Sequence, residues 1–353
     1  MSFGLSLLVV ALAGFVALGN EIVWFRVYAF VTGGTTASFG VLLAAYLAGI
    51  AFGSLAARAA CRDATATGER SRLLLPAWLT VAASALGFAV APAVAAYVTH
   101  GHWAATLPLV ALVAGSNGAL LPLIAHFGVP PDHRAGERLS WLYLANIVGS
   151  TAGSLTTGFV LLDHLPLRHV VAVLTAVGLG MAALLFAVAA GGARRAVLPL
   201  VGCVALAAAT APAAPWAFEG LWEKLQRKTA YDGQERFRTV IEGRSGVITV
   251  SQEGAVFGGG VYDGGFNVGL VPDTNMVIRA YAVAGLHPAP KRMLMIGLSS
   301  GSWATILADL PGLERLDVVE INPDYTKLIA TEPLVAPLLQ HPKVHIHTDD
   351  GRR

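Results

Sequence analysis

Charge is scarce in this chain: Asp, Glu, Lys and Arg make up 13% of its 353 residues, against roughly a quarter in a water-soluble domain. That excludes a protein facing water along most of its length. Neither sign dominates either, since the net charge is +2 and the Lys and Arg are scattered, which excludes the basic footprint of a nucleic-acid binder. Only two cysteines are present, Cys61 and Cys203, too few and too far apart for a disulfide framework or a thiolate metal site. No Lys or Arg precedes the first apolar run, and no small-residue cleavage pattern follows it, so the N-terminus reads as a retained span rather than a removed signal peptide. What the chain has in quantity is apolar side chains, 55% of the total.

These cluster into seven runs near the roughly 20 residues needed to cross a bilayer: residues 3–18 (continuing as an apolar helix to Val31), 37–57, 73–98, 103–127, 139–162, 170–190 and 196–214. The expected fold is therefore a multi-spanning α-helical bundle over residues 1–215, a multi-pass integral membrane protein with the lipid bilayer as its first partner. Arginines gather in the second connection (Arg58, Arg62, Arg70, Arg72), the fourth (Arg134, Arg138) and the sixth (Arg194, Arg195), while the third has only His100 and His102. By the positive-inside rule the N-terminus and even-numbered loops are cytoplasmic, and seven spans then put the tail outside, where no nucleoside cofactor is expected. Either one span is misread, the split first and the Ala/Pro-rich seventh being the least regular, or the tail is not cytoplasmic.

Small residues four apart mark faces for close helix packing: Ala45, Gly49, Gly53 and Ala57 on one helix, Ala145, Gly149, Gly153 and Thr157 on another. Both stretches open on Tyr-Leu-Ala, at Tyr46 and Tyr143, and at the same offset of 97 residues Asn20 falls on Asn117. Three spans per unit would make this an inverted repeat of the transporter kind. Glu21, inside the first apolar stretch, is an intramembrane candidate for holding a cation such as a polyamine, or else an interfacial residue if the span ends near Leu18. Asn117 and Asn146 fit interhelical hydrogen bonding.

Past Pro215 the chain becomes charged, and residues 216–236 read as an amphipathic linker. Residues 237–272 then form a small β subdomain, with strands at 237–241, 246–251 and 255–262. A helix is expected over 273–286, followed by alternating strand and helix: 293–296, 302–310, 316–321, 323–331, 344–347. Residues 273–353 are thus the first half of a doubly wound, Rossmann-like α/β domain.

Candidate site residues lie at the C-terminal ends of its three strands. Gly297-Leu-Ser299-Ser-Gly301 is a glycine turn at a helix start, where backbone N–H groups approach a ligand. Glu320, about 20 residues on, is placed to accept hydrogen bonds from a ribose diol. Asp349-Asp350-Gly351 offers a carboxylate to an adenine amino group. His345 and His347 share a strand face without a third ligand, so no metal site is read.

At these residues the chain resembles spermidine synthases, and more closely the membrane-fused spermidine synthase-like proteins. In the tail the resemblance is carried by Tyr262-Asp263-Gly264, His287-Pro288 with Pro290-Lys-Arg, the glycine loop, Val319-Glu320-Ile-Asn-Pro323 and Asp350-Gly351-Arg352. In the membrane part it is carried by Gly14-Phe15 through Asn20-Glu21-Ile-Val-Trp24-Phe-Arg26, by Tyr46 through Gly53-Ser, and by Leu142-Tyr143-Leu-Ala-Asn146 with Gly149. It implies an S-adenosylmethionine-dependent transferase type of fold in the bacterial plasma membrane. The implied reaction moves an aminopropyl group from decarboxylated S-adenosylmethionine to a polyamine such as putrescine, leaving methylthioadenosine. It also implies donor contacts by Gly297, Gly301, Glu320 and Asp350, and substrate-side roles for Asp263, Asn267 (where soluble members have a glutamine) and Asp273, with no metal.

The chain departs from that pattern in several places. Ser299 replaces the loop's middle glycine, Ser300 the loop aspartate, and no tyrosine follows Asp273 at the expected place. The strand that carries the family's catalytic aspartate is expected beyond Arg353, so the domain is expected to be incomplete, as a fragment or a degenerate member, with its catalytic residue unknown. Two alternatives stay open: a non-catalytic transporter or sensor with a degenerate nucleoside-binding tail, and a methyltransferase using intact S-adenosylmethionine. Acceptor and homo-oligomeric state are open too.

Overall fold

The computed structural model describes residues 1–63, 73–190, 193–287 and 289–352; Arg70, Arg72, Pro288 and Arg353 lie outside the described residues, as do the side chains of Arg62 and Arg194. The chain divides into two compact units, Met1–Asp232 and Gly233–Arg353.

The first unit is helical: α1 (Phe3–Thr32), α2 (Thr36–Asp63), α3 (Leu74–Val98), α4 (Leu107–Gly118), α5 (Leu120–Gly128), α6 (Ala135–Leu155), α7 (Leu167–Ala190), α8 (Ala193–Ala217) and α9 (Leu221–Arg227). Among the described residues, seven stretches are long and apolar enough to cross a membrane, with α4 and α5 forming one span from Trp103 and α6 running on through a π-helical turn at Thr156–Leu161 to His164. The two irregular spans are each one helix. α1 starts on a Ser2 cap, whose Oγ accepts from the Leu5 N–H at 3.4 Å, and stops at Gly33, whose φ of 69° suits glycine. It is unbroken at Leu18, so Glu21 lies on its helical stretch, half-buried. α8 keeps Pro199, Pro212 and Pro215 within the helix.

Helix pairing follows the small residues. α1 packs chiefly on α6 and α2 on α4, while α3 and α8 both pack on α7. At these seams backbone meets backbone: a Cβ added at Gly149 would land on the Ala11 carbonyl and one at Gly153 on that of Phe15, and likewise Gly49 faces Ala111 and Gly53 faces Gly115. The two seams are equivalent. Gly49 and Gly149, Ala11 and Ala111, Gly53 and Gly153, Phe15 and Gly115 each stand 100 positions apart. Residues 3–98 and 103–190 are therefore two three-span repeats, and an odd number of spans inverts one against the other. The offset of 97 read from the tyrosines is superseded, because carbonyl–glycine contacts set the register; at 100, the counterpart of Tyr46 is Asn146.

The helix of the expected linker, α9, belongs to this unit. Its Leu221, Trp222 and Leu225 are buried, and the Trp222 ring packs tilted against that of Phe30, with centroids 4.8 Å apart, which is why the unit extends to Asp232.

The second unit holds an antiparallel meander of β1 (Thr239–Gly243), β2 (Gly246–Val250), β3 (Ala255–Gly258) and β4 (Val261–Gly265), followed by α10 (Ile278–Leu286). A parallel sheet of order β5-β6-β7 (Arg292–Ile296, Arg315–Glu320, Val344–Thr348) comes next, with α11 (Ser302–Ala308) and α12 (Asp324–Ala330) in the crossovers. The strand expected over 255–262 is a hairpin, because Gly259 and Gly260, at φ 56° and 82°, supply the two left-handed residues of a tight turn. Val250, Val256, Val277, Leu298, Leu316, Val318 and Leu328 share one core. Met293 and Met295 face it, whereas Leu294 and Ile296, on the other face of β5, are 64% and 67% exposed.

Candidate functional site

In the second unit, a pocket of about 410 Å³ opens at the C-terminal end of β6, lined by Glu320, Ile321 and Asn322, by Tyr325 of α12, by the β1–β2 and β3–β4 turns and by Tyr262 and Asp263 of β4. Parallel sheets bind ligands at this edge. The lining contains two carboxylates and two tyrosines and no Lys, Arg or His.

Tyr325 donates its hydroxyl proton to Asp263 Oδ2. Burial, then that hydrogen bond and the charges of Asp263 and Glu320, hold the phenol well above the usual tyrosine range, so it acts as a donor that fixes the carboxylate. Tyr262, raised first by burial and then by Asp273 and Asp263, donates weakly toward Asn275 Oδ1 at 3.3 Å.

Glu320 is 5% exposed and both its oxygens are engaged: Oε2 accepts from the Leu298 N–H and Oε1 from the Asn322 N–H, each at 2.7 Å. It ties the loop after β5 to the turn after β6, so one N–H of the glycine turn already points at a carboxylate. In that loop Gly297 and Gly301 have φ of 91° and 74°, and Ser299, in the middle glycine's place, also takes a left-handed φ of 50°. Ser299 Oγ donates to the Asp263 carbonyl at 2.8 Å, which joins the glycine loop to β4.

The other expected residues are spent locally. Asp273 caps the approach to α10, accepting from the N–H groups of Asn275, Val277 and Ile278 at 3.2, 2.8 and 3.1 Å. These bonds overcome a desolvation that acts the other way and lower its pKa. Asn267 folds its own loop, donating to the Gly269 and Pro272 carbonyls at 3.1 and 2.9 Å. Asp350 is chelated by Arg352, with Nη2 at 2.5 Å, which lowers its pKa. Asp349 accepts from the Asp350 N–H at 2.7 Å, and a Cβ at Gly351 would meet the Ile296 side chain. His347 Nε2 lies 2.9 Å from Asp317 Oδ1. The structure thus brings Asp263 and Glu320 into one pocket, with Ser299 bonded to β4 beside it, and leaves Asn267, Asp273, Asp349 and Asp350 outside the lining.

No family model, curated protein or solved structure matches the chain. The site rests on its own geometry.

The sequence assigns no site role to Tyr325, and it shows Asn322 only as part of the motif that follows Glu320. Their signal is position: both lie within five residues of Glu320, on the turn and first helical residues that follow its strand.

Proposed function

We propose that the chain is a membrane-anchored, spermidine synthase-like aminopropyltransferase whose second unit, a Rossmann-like half-domain, holds a nucleoside sulfonium donor and a polyamine acceptor. The observation that carries this reading is the pocket with Asp263, Glu320, Tyr262 and Tyr325 and no basic side chain. Decarboxylated S-adenosylmethionine and a diamine are both cations, and a pocket with two carboxylates and no compensating base suits such charges and repels anions.

In this reading Asp263, oriented by Tyr325, receives the ammonium group, and Glu320 keeps the loop at the sheet edge in the shape that admits the nucleoside. Attack of a neutral amine on the carbon beside the sulfonium forms a C–N bond, releases methylthioadenosine and leaves a proton for a carboxylate to accept.

The test is calorimetric titration of the detergent-solubilised chain with methylthioadenosine, decarboxylated S-adenosylmethionine and S-adenosylmethionine. The first two should bind, and Asp263→Asn should weaken the decarboxylated donor about tenfold or more, the value of one hydrogen bond to a charged group, while leaving methylthioadenosine, which lacks the sulfonium charge, nearly unchanged. Binding of S-adenosylmethionine alone would shift the assignment to methyl transfer. No binding by any of the three would refute it.

A further inference from the structure

We propose that the membrane unit is a two-state device that opens its central cavity to one face of the membrane at a time, closed in this structure at the other face by a stacked pair of phenylalanines. The inference is independent of the chemistry of the second unit. The glycine seams divide the inner helices into two pairs, α1 with α6 and α2 with α4–α5, and a cavity of about 440 Å³ lies between them. The offset of 100 shows how it sits in the repeat. Ala17 and Asn117, Leu18 and Gly118, Tyr46 and Asn146, and Ile50 and Ser150 are counterparts, and both members of each pair line it. A wall that maps onto itself straddles the pseudo-twofold axis relating inverted repeats.

Away from that belt the equivalence fails. Val10, Ala13, Ala125 and Leu139 extend the wall toward the face that carries Met1, Arg58, Arg134 and Arg138, while their counterparts Val110, Val113, Phe25 and Phe39 are not in it. Val110 and Val113 are fully buried. The Phe25 and Phe39 rings stack, with centroids 4.5 Å apart and planes 22° from parallel. The contact that joins α1 to α2 at one face thus has its counterpart in Ala125 of α5 and Leu139 of α6 at the other, where both border the cavity. Each contact links one seamed pair to the other, so rocking the pairs about the axis breaks the first as it makes the second and leaves both glycine seams intact. The closed half also carries a cost that opening relieves: Trp24 Nε1 and Thr157 Oγ1 are buried there without a hydrogen-bond partner among the described residues, as is the Tyr46 hydroxyl on the belt. Such groups burden the state that buries them and are satisfied when water reaches them. Against that cost stands the aromatic pair, whose stacking shifts an equilibrium by about two- to tenfold beyond its burial and which the smaller Ala125 and Leu139 do not match.

The experiment uses the full chain in lipid nanodiscs, with Cys61→Ser and Cys203→Ala, and reads how fast a water-soluble maleimide labels one introduced cysteine, Leu121→Cys in the open half or Ile22→Cys in the closed half. Leu121→Cys should react fast and Ile22→Cys slowly. Phe25→Ala with Phe39→Leu, which gives the closed face the residues of the open one, should raise the Ile22→Cys rate about two- to tenfold. Adding Ala125→Phe and Leu139→Phe should make Leu121→Cys the slower site. A gain at Ile22→Cys that leaves Leu121→Cys unchanged in the four-residue exchange would overturn the proposal, since it reports local loosening rather than coupled faces, and so would no change at either site. A second arm leaves both phenylalanines in place. Oxidising Ala125→Cys with Leu139→Cys should form a disulfide that raises hydrogen exchange over residues 22–39, and reduction should reverse it. A pair that never cross-links, or a cross-link without that rise, would equally overturn the two-state device.

Discussion

Replacing Glu320 by glutamine tests whether this residue ties the loop or waits for a ligand. Its carboxylate accepts two backbone N–H groups at 2.7 Å in a buried setting. A glutamine keeps one acceptor oxygen and turns an NH₂ toward the other N–H, so one bond is lost and a buried donor faces another donor. A hydrogen bond to a charged group contributes about 1.5–3 kcal/mol, which sets the expected loss in Glu320→Gln at about 2–3 kcal/mol. In Glu320→Ala both donors are orphaned and the loss rises to about 3–5 kcal/mol. The assay is hydrogen exchange with mass spectrometry on the full chain, reading peptides over 297–302 and 320–325, together with a urea titration followed through Trp303, the only tryptophan beyond Asp232. Both variants should lose protection in both peptides together, because one side chain holds both. Unchanged protection and an unchanged midpoint in Glu320→Gln would refute the tie and return Glu320 to a purely ligand-facing role.

Gly301→Ala should cost about 1–2 kcal/mol for its left-handed φ of 74°, and more because the new methyl would sit 2.8 Å from Ile329 Cδ1; Ile329→Val should recover the second part only, as read by urea midpoints. Asp317 is held well below the usual carboxylate range, first by its hydrogen bonds from Arg315 and then by that from His347. Its folded pKa is depressed, so its contribution is present above the unfolded value of about 4 and is lost as pH falls toward the folded one. Between pH 5 and pH 2 the wild type should therefore lose more stability than Asp317→Asn, measured as urea midpoints. Asp273→Ala should cost about 1 kcal/mol as a lost cap and speed exchange at Val277 and Ile278, with little change in nucleoside affinity. Gly149→Leu, which drives a side chain into the Ala11 backbone, should abolish the α1–α6 seam and yield protein that aggregates on extraction, whereas Gly180→Leu, with open space at its Cβ, should be tolerated.

Much of the architecture is legible in the sequence. Runs of apolar residues announce spans because a bilayer demands them, and Gly49, Gly53, Gly149 and Gly153 announced seams because only glycine lets helix backbones touch. Where the reading slipped, the information was not local. Trp222 looked like part of a charged linker because its partner, Phe30, is nearly 200 positions away. Gly259-Gly260 was absorbed into a strand because the flanking residues are β-formers on both sides. The site was half legible: the strand ends pointed to Glu320, and Asp263 stood in a recognisable motif. Yet no pattern tells whether a carboxylate faces a ligand or a neighbouring N–H, which is why Asp273 and Asn267 were read as contacts and are found serving their own loops.

The exchange of partners between the repeats bears on how the bundle matures. α1 emerges first from the ribosome, but its face around Ala11 and Phe15 stays bare until the glycines of α6 arrive more than 100 residues later, and α2, with Gly49 and Gly53, must likewise wait for α4. Neither half can finish packing by itself, so the order of synthesis and the order of assembly are uncoupled. Chains stopped after the third span would hold three helices with neither of the glycine seams formed.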